Sequence, residues 1–295
     1  MPYLKAHSRV EVNEFLESSD ENIYVVGDMA EIVHRISKKK IRMPLAGPAN
    51  RQGRIAGSNA GGARLKYNGA IGTSILKIFE KTLAMTGMTE KAVKEAKLEY
   101  GISFVHSNSH ASYYPGAERV SMKLVFLKKD GQILGAQAFG KEGIDKRIDV
   151  IATAIHGKMT IYDLTQLDLA YAPPYSSAND PVNSTGFIAE NQLNENIAVI
   201  SSLEFASLEK DSYTFLDVRN PGEIKKFPLQ NVLHIPIDTL RDRLSEIPKE
   251  KPIVVTCQSG QRSYIAQRIL LQSGFNEVKN LSGGYLTYRH FQNKK

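Results

Sequence analysis

The sequence predicts a chain of mixed α/β and α+β class, with an α+β arrangement up to about residue 190 and an α/β unit with a mostly parallel sheet over the last hundred residues. Three observations carry this. Beyond residue 195, short apolar runs alternate with helical ones, the pattern of parallel strands joined by crossover helices. Residues 121–139 form two apolar runs around Asp130-Gly131, a strong hairpin signal, and a run with helical spacing (Ile144, Ile148, Ile151, Ala152, Ile155) follows. Between the two parts, Ala170 to Pro181 is too proline-rich for helix or sheet.

Three segments are expected, 1–62, 63–190 and 195–295. The first opens with polar text and a strand, Asn22 to Val26, ending in Gly27-Asp28. A helix is expected from Met29 to Ser37, a loop over Met43 to Pro48, and a second helix from Ala49 through the small residues up to Gly62. In the second segment, Ser74 to Leu83 reads as one strand, although its pattern alone also fits a helix. Thr89 caps a helix over the next eight residues, and the hairpin and the 144–156 helix come next. The third has strands at Tyr213–Leu216, Val232–Ile235, Ile253–Val255 and Val278–Leu281, and helices over 239–246 and 263–272. The last of these carries Ile265, Ile269 and Leu270 on one face.

A single cysteine in 295 residues rules out an internal disulfide and fits a reducing compartment. No apolar run reaches the ~20 residues that span a bilayer, and Met1 to His7 has no apolar core of a signal peptide. A cytoplasmic protein without a membrane partner is expected. The net charge of +7 is spread along the chain, and Lys38 to Lys40 lack interleaved aromatics, so no nucleic-acid partner is expected. A mildly basic surface suits a small anionic substrate carrying phosphates. His106 and His110 read as structural, and no metal site is expected.

Cys257 lies between the apolar strand ending at Val255 and the helix from Ser263. In such a loop the backbone N–H groups, backed by the positive helix end, converge on the sulfur and favour the nucleophilic thiolate. A lone cysteine is often an inert core residue, but Gly260 and Arg262 in the same loop argue for reactivity.

The last hundred residues resemble the rhodanese sulfurtransferases through Leu216-Asp-Val-Arg-Asn-Pro-Gly-Glu223, His234 to Leu240, Cys257-Gln-Ser-Gly-Gln-Arg-Ser263 and Leu281-Ser-Gly-Gly-Tyr285. The resemblance implies a persulfide on Cys257, cradled by the loop Gln258, Ser259, Gly260 and Gln261, with Arg262 bracing the loop or the acceptor. Asp217 and Arg219 are implied either as catalytic groups or as a salt bridge that fixes the loop. The spacing is C-x4-R, one residue shorter than in phosphatases of this fold, which suits a single sulfur atom. Phe227-Pro-Leu-Gln replaces the Gly-His-Ile common in the family, so the pocket rim or the acceptor is expected to differ.

The first 190 residues resemble the C-terminal part of FAD-dependent pyridine nucleotide–disulfide oxidoreductases, coenzyme A-disulfide reductases in particular. The carrying text is Asn22 to Asp28, Pro44 to Gly53, Tyr113-Tyr-Pro-Gly116 and Ala170 to Ala178. The resemblance implies that Asp28 and Gly27 hold the FAD ribityl chain, and that a helix entered through Pro48 and Ala49 points at the flavin. It implies NAD(P)H as the second cofactor, a coenzyme A disulfide or persulfide as substrate, and a homodimer. Tyr113 and Tyr171 fall where the family places tyrosines in the partner's active site; a phenol there donates a proton to a sulfur leaving group or packs the interface.

No G-x-G-x-x-G follows a strand, although this class needs one for each dinucleotide. The sequence therefore reads as the last third of an FAD domain, a dimerisation domain and a rhodanese domain. A fragment, a gene that has lost its front half, or a second polypeptide each accounts for this. The leading expectation is an NAD(P)H-dependent flavoenzyme that reduces disulfides, persulfides or polysulfides. The alternatives are a dimeric sulfurtransferase on a non-catalytic scaffold and a non-catalytic binding module.

Overall fold

The structure is a computed structural model that describes residues 10–194 and 197–291. Met1 to His7, and residue 195 where the third segment was expected to begin, lie outside the described residues. Among the described residues, three sheets organise the chain.

The first comprises β1 (Val10–Glu11), β2 (Ala30–Val33) and β3 (Lys40–Arg42), with α1 (Ala46–Ala60) after it. Two expectations fail here. Residues 22–26 are irregular, with one bridge from Tyr24 to Glu17, and the strand comes later, where a helix was expected. Gly27, at φ +72°, turns the chain out of extended geometry. Beyond it Ala30 and Ile32 point inward while Glu31 and Val33 face out, a period of two that no helix satisfies. The helix expected from Ala49 starts at Ala46. Pro48 is thus in its first turn, where a missing N–H breaks no intrahelical bond.

The second sheet is antiparallel, order β4-β5-β8-β7-β6. Its strands are β4 (Ser74–Ile78), β5 (Lys81–Gly87), β6 (Tyr100–Asn108), β7 (Arg119–Leu127) and β8 (Ile133–Gly140), with α2 (Glu90–Glu95) between β5 and β6. The run expected as one strand over 74–83 is a hairpin turning at Phe79, whose φ is +50°. The Asp130-Gly131 hairpin and the Thr89 cap are as expected; Thr89 Oγ1 accepts from Ala92 N–H at 3.2 Å. β6 was not foreseen, because its inward residues Gly101, Ser103 and Val105 are mostly small or polar. Helices α3 (Ile144–His156), α4 (Ile161–Gln166) and α5 (Pro181–Asn194) follow, and Ile144, Ile148, Ile151 and Val182 join the sheet core. The face of α3 also buries Arg147. Its guanidinium donates to both oxygens of Asp180 (2.8–3.1 Å) and to the Ser109 and Gly143 carbonyls, tying the proline-rich segment to the core. Burial pushes the Asp180 carboxyl up, but the Arg147 charge and hydrogen bonds outweigh it and hold it below the usual range.

The third sheet is wholly parallel, order β11-β10-β12-β13-β9. Strands β9 (Val199–Ile200), β10 (Thr214–Asp217), β11 (Leu233–His234), β12 (Ile253–Thr256) and β13 (Val278–Leu281) are joined by α6 (Ser202–Ser207), α7 (Pro221–Lys226) and α8 (Gln261–Gln272), and α9 (Gly284–Tyr288) closes the unit. The helix expected over 239–246 is two tight 3-10 turns. Ile265, expected on the apolar face of α8, is 45% exposed; that face is Ser263, Ala266, Gln267, Ile269 and Leu270. Gln267 is affordable there because its amide donates to the Ala198 and Val278 carbonyls, both at 2.8 Å.

Candidate active site

Cys257 follows the central strand of the parallel sheet and is fully buried. β12 runs Ile253 to Thr256 with every residue buried, so the strand delivers the thiol to the carboxyl edge, where parallel sheets carry their sites. Gly260, at φ +104°, then reverses the chain into α8. That turn brings the Gly260 N–H to 3.1 Å from Sγ and the Ser263 hydroxyl to 3.4 Å. A ring of converging N–H groups was expected; among the described residues, one backbone N–H donates to the sulfur, with the Ser263 hydroxyl oxygen beside it. The Ser263 hydroxyl is 2.7 Å from Asn280 Oδ1, and the Asn280 amide donates to the Gly260 carbonyl, bracing the turn from β13.

The loop is held from below by α9. Tyr285 N–H donates to the Cys257 carbonyl at 2.8 Å and Leu286 N–H to the Gln258 carbonyl at 3.0 Å. The approach is so close that a Cβ on Gly284 would lie 2.6 Å from the Cys257 oxygen, and φ at that glycine is +57°. This is the physical reason for the Gly283-Gly284 pair in the sequence.

Asp217 and Arg219 meet as a bidentate pair with Nη2–Oδ2 at 2.7 Å, both fully buried. Arg219 also lies over the Tyr285 ring at 4.5 Å, and its carbonyl contacts His234 Nε2 at 2.8 Å. The pair thus links β10, β11 and α9 as a buried, bidentate salt bridge. Arg262 turns to α7, where its Nη1 and Nη2 donate to Glu223 Oε2 and Oε1 at 2.7 and 2.6 Å. Glu223 Oε2 also accepts from Asn220 N–H in a capping box. The Arg262 hydrogen bonds hold the Glu223 carboxyl below its usual range. Sequence reasoning gave Glu223 no role, although it stands in the quoted motif. On the far side, Ser259, Gly260 and Gln261 line a cleft of about 290 Å³ facing β6 and α5, with no Asp, Glu, Lys or Arg in its walls.

His106, on β6, crosses between the units: Nδ1 is 2.7 Å from Ser121 Oγ and Nε2 2.8 Å from Thr287 Oγ1. Burial, reinforced by the charges of Arg119, Arg289 and His290, pushes its pKa down to about 4. Its pairing with Thr287 carries no sequence signal.

Tyr113 and Tyr171 sit together on the surface, hydroxyls 3.4 Å apart, 76% and 48% exposed, far in sequence from the cysteine loop. In the first unit, Gly27 N–H donates to Gln52 Oε1 of α1 at 2.7 Å, and a Cβ on Gly27 would touch Ala49 at 3.8 Å. Pro48 and Ala49 lie inside the first turn of α1, whose N-terminus has no side-chain cap. The Asp28 carboxylate is exposed between Val26 and Met29, which are exposed as well. Pro48 has no N–H and the Ala49 N–H donates to the Leu45 carbonyl at 3.1 Å, so what fits the polar chain and flat ring of a flavin is the exposed carboxylate with its uncovered apolar flank.

A family model described as pyridine nucleotide-disulphide oxidoreductase, dimerisation domain, matches residues 73–181, and one described as rhodanese-like domain matches residues 205–290. The chain joins an oxidoreductase dimerisation domain to a rhodanese-like domain. It is 36% identical over 182 residues to a coenzyme A disulfide reductase of Staphylococcus aureus, covering 61% of this chain and 41% of that one. Among solved structures, reduced CoADR-RHD of Bacillus anthracis superposes with a TM-score of 0.91 at 43% identity, covering 96% of this chain and 51% of that one. An NAD-dependent persulfide reductase from A. fulgidus superposes with a TM-score of 0.85 at 42% identity, covering 94% and 50%. The chain spans about half the length of these structures. In the rhodanese-like domain the cysteine loop stands at the carboxyl edge of the parallel sheet; the dimerisation domain carries His106 and the two tyrosines. Among the described residues, no helix is long and apolar enough to cross a membrane.

Proposed function

We propose that this chain carries the dimerisation and sulfur-handling parts of an FAD-dependent, NAD(P)H-consuming reductase of coenzyme A disulfides, persulfides or polysulfides. Its working form is a homodimer, with borders between the three parts near residues 62 and 195. The observation that carries the sulfur half is the Gly260 N–H directed at Sγ of Cys257, at the edge of the sheet. A donor there is a nucleophile's neighbour: it steadies the thiolate before attack and the persulfide anion after it. Cys257 takes a sulfane sulfur, the loop 258–261 holds it, and Asp217–Arg219 and Glu223–Arg262 keep the loop in shape.

FAD, when bound, relays electrons from the nicotinamide to a sulfur substrate. Gly27, Asp28 and the first turn of α1 would hold it. Tyr113 and Tyr171 contribute phenols to the partner's substrate site. The chain's similarity to a coenzyme A disulfide reductase and to an NAD-dependent persulfide reductase supports the reading.

The test is mass spectrometry of the protein after exposure to a persulfide donor. Wild type is expected to gain one sulfur atom on Cys257 and the Cys257→Ser variant none. Equal uptake by both, or none by either, sinks the assignment.

A further inference from the structure

Sulfur loading is also a matter of charge, and the charges around Cys257 cancel in pairs. Arg262 is engaged through both terminal nitrogens by Glu223, and Arg219 is engaged by Asp217 through Nε and Nη2. One donor of Arg219, Nη1, has no hydrogen-bond partner, but the residue is fully buried and its guanidinium lies against Tyr285. Gln258, Ser259, Gly260 and Gln261 bring no charge, and the cleft beside them has none in its walls. Two arginines facing two carboxylates leave no net positive charge for an incoming anion.

We propose that Glu223 sets the donor preference of the loop. By neutralising Arg262 it disfavours dianionic donors such as thiosulfate relative to persulfides, whose reacting end carries a single charge. The proposal rests on the reading of Cys257 as the sulfur-carrying nucleophile. With a persulfide anion, the Cys257 thiolate attacks the outer sulfur of R–S–S⁻, a new S–S bond forms as the donor's S–S bond breaks, the electron pair leaves on RS⁻, and the outer sulfur keeps its charge as the Cys257 persulfide anion. With thiosulfate the same displacement yields the Cys257 persulfide anion and sulfite. Neither step needs an external oxidant or reductant. The steps differ in the donor's charge, two against one, and the attraction of an unmasked guanidinium scales with that charge.

Glu223→Gln isolates the effect, because the glutamine carbonyl can still accept from Asn220 N–H and keep the cap of α7. The measurement is single-turnover persulfidation of Cys257 by thiosulfate and by tert-butyl persulfide, with iodoacetamide alkylation as a neutral probe of access. The pair is partly exposed, at 28% and 30%, so solvent screening keeps the effect modest. E223Q is expected to speed thiosulfate loading ~10-fold and persulfide loading about 3-fold, to leave alkylation unchanged, and to lose the difference at high salt. The double variant E223Q/R262Q is expected to return to the wild-type donor ratio. The single variant R262Q, which leaves Glu223 unpaired, shifts the ratio further against thiosulfate. Equal acceleration of both donors and of iodoacetamide would show that Glu223 only closes the site and would overturn the proposal, as would an unchanged donor ratio. Wild-type protein that takes sulfur from neither donor overturns the Cys257 assignment itself.

Discussion

His106 Nε2 of the dimerisation domain lies 2.8 Å from Thr287 Oγ1 of the rhodanese-like domain. Thr287 belongs to α9, the helix whose first turn holds the Cys257 and Gln258 carbonyls. A ring on one domain thereby helps to position the sulfur loop of the other.

The same histidine makes stability pH-dependent. Its folded pKa, about 4, lies below the unfolded value near 6.5, so the unfolded chain binds the extra proton in that window. Its contribution is complete above pH 6.5 and falls away as pH drops towards 4. Between pH 7 and pH 5 the loss is at most about 2 kcal/mol. His34 and His156 are also shifted down by burial and add to the slope. Urea midpoints of wild type and His106→Gln at the two pH values separate the contributions, and parallel curves would remove His106 from the account.

Asp217→Asn leaves the Arg219 charge buried without its partner. The expected cost is about 3–5 kcal/mol, read from chemical denaturation. Replacing both, Asp217→Asn with Arg219→Met, recovers most of it if the pair acts through loop shape. Persulfidation of the double variant then stays near the wild-type rate; a deep loss in that stable variant would make the pair directly catalytic.

Gly284→Ala forces a Cβ to within 2.6 Å of the Cys257 carbonyl and 2.9 Å of the Ser259 and Gly260 nitrogens, at a φ of +57°. A destabilisation of about 1–3 kcal/mol is expected. Cys257 persulfidation should fall more than ~10-fold, because the N–H at Sγ is the group displaced. Circular dichroism melting and donor-loading rates report the two effects separately.

Tyr171→Phe removes an exposed hydroxyl and is expected to change stability by less than about 0.5 kcal/mol. The Tyr171 hydroxyl bond raises the pKa of the Tyr113 phenol, which stays protonated at neutral pH. If Tyr171 serves as proton donor, turnover of coenzyme A disulfide by the flavin-loaded dimer drops ~10²-fold with the dimer intact. A looser dimer with unchanged turnover would assign the residue to interface packing.

The cysteine loop was legible because its chemistry is local: strand, thiol, glycine and arginine lie within ten residues. Strands with strong apolar alternation or a turn signal, such as β7 and β8, were legible for the same reason. The first unit was misread because Gly27 breaks the run before it and the strand Ala30–Val33 is only four residues long. β6 stayed hidden because Gly101 and Ser103 are buried without being hydrophobic. What sequence could not supply is pairing across distance. Glu223 meets Arg262 and His106 meets Thr287 only because the fold brings α7 to α8 and β6 to α9.

A single cysteine, placed alone at the sheet edge, also limits capacity. Within this sequence no second thiol exists to close on a loaded Cys257 and release its sulfur as an internal disulfide. On the proposed reading, this stretch would store one sulfur atom, and its release would fall to a thiol or nucleophile outside these 295 residues. Loading would then saturate at one equivalent of donor, and the acceptor would set the pace of turnover.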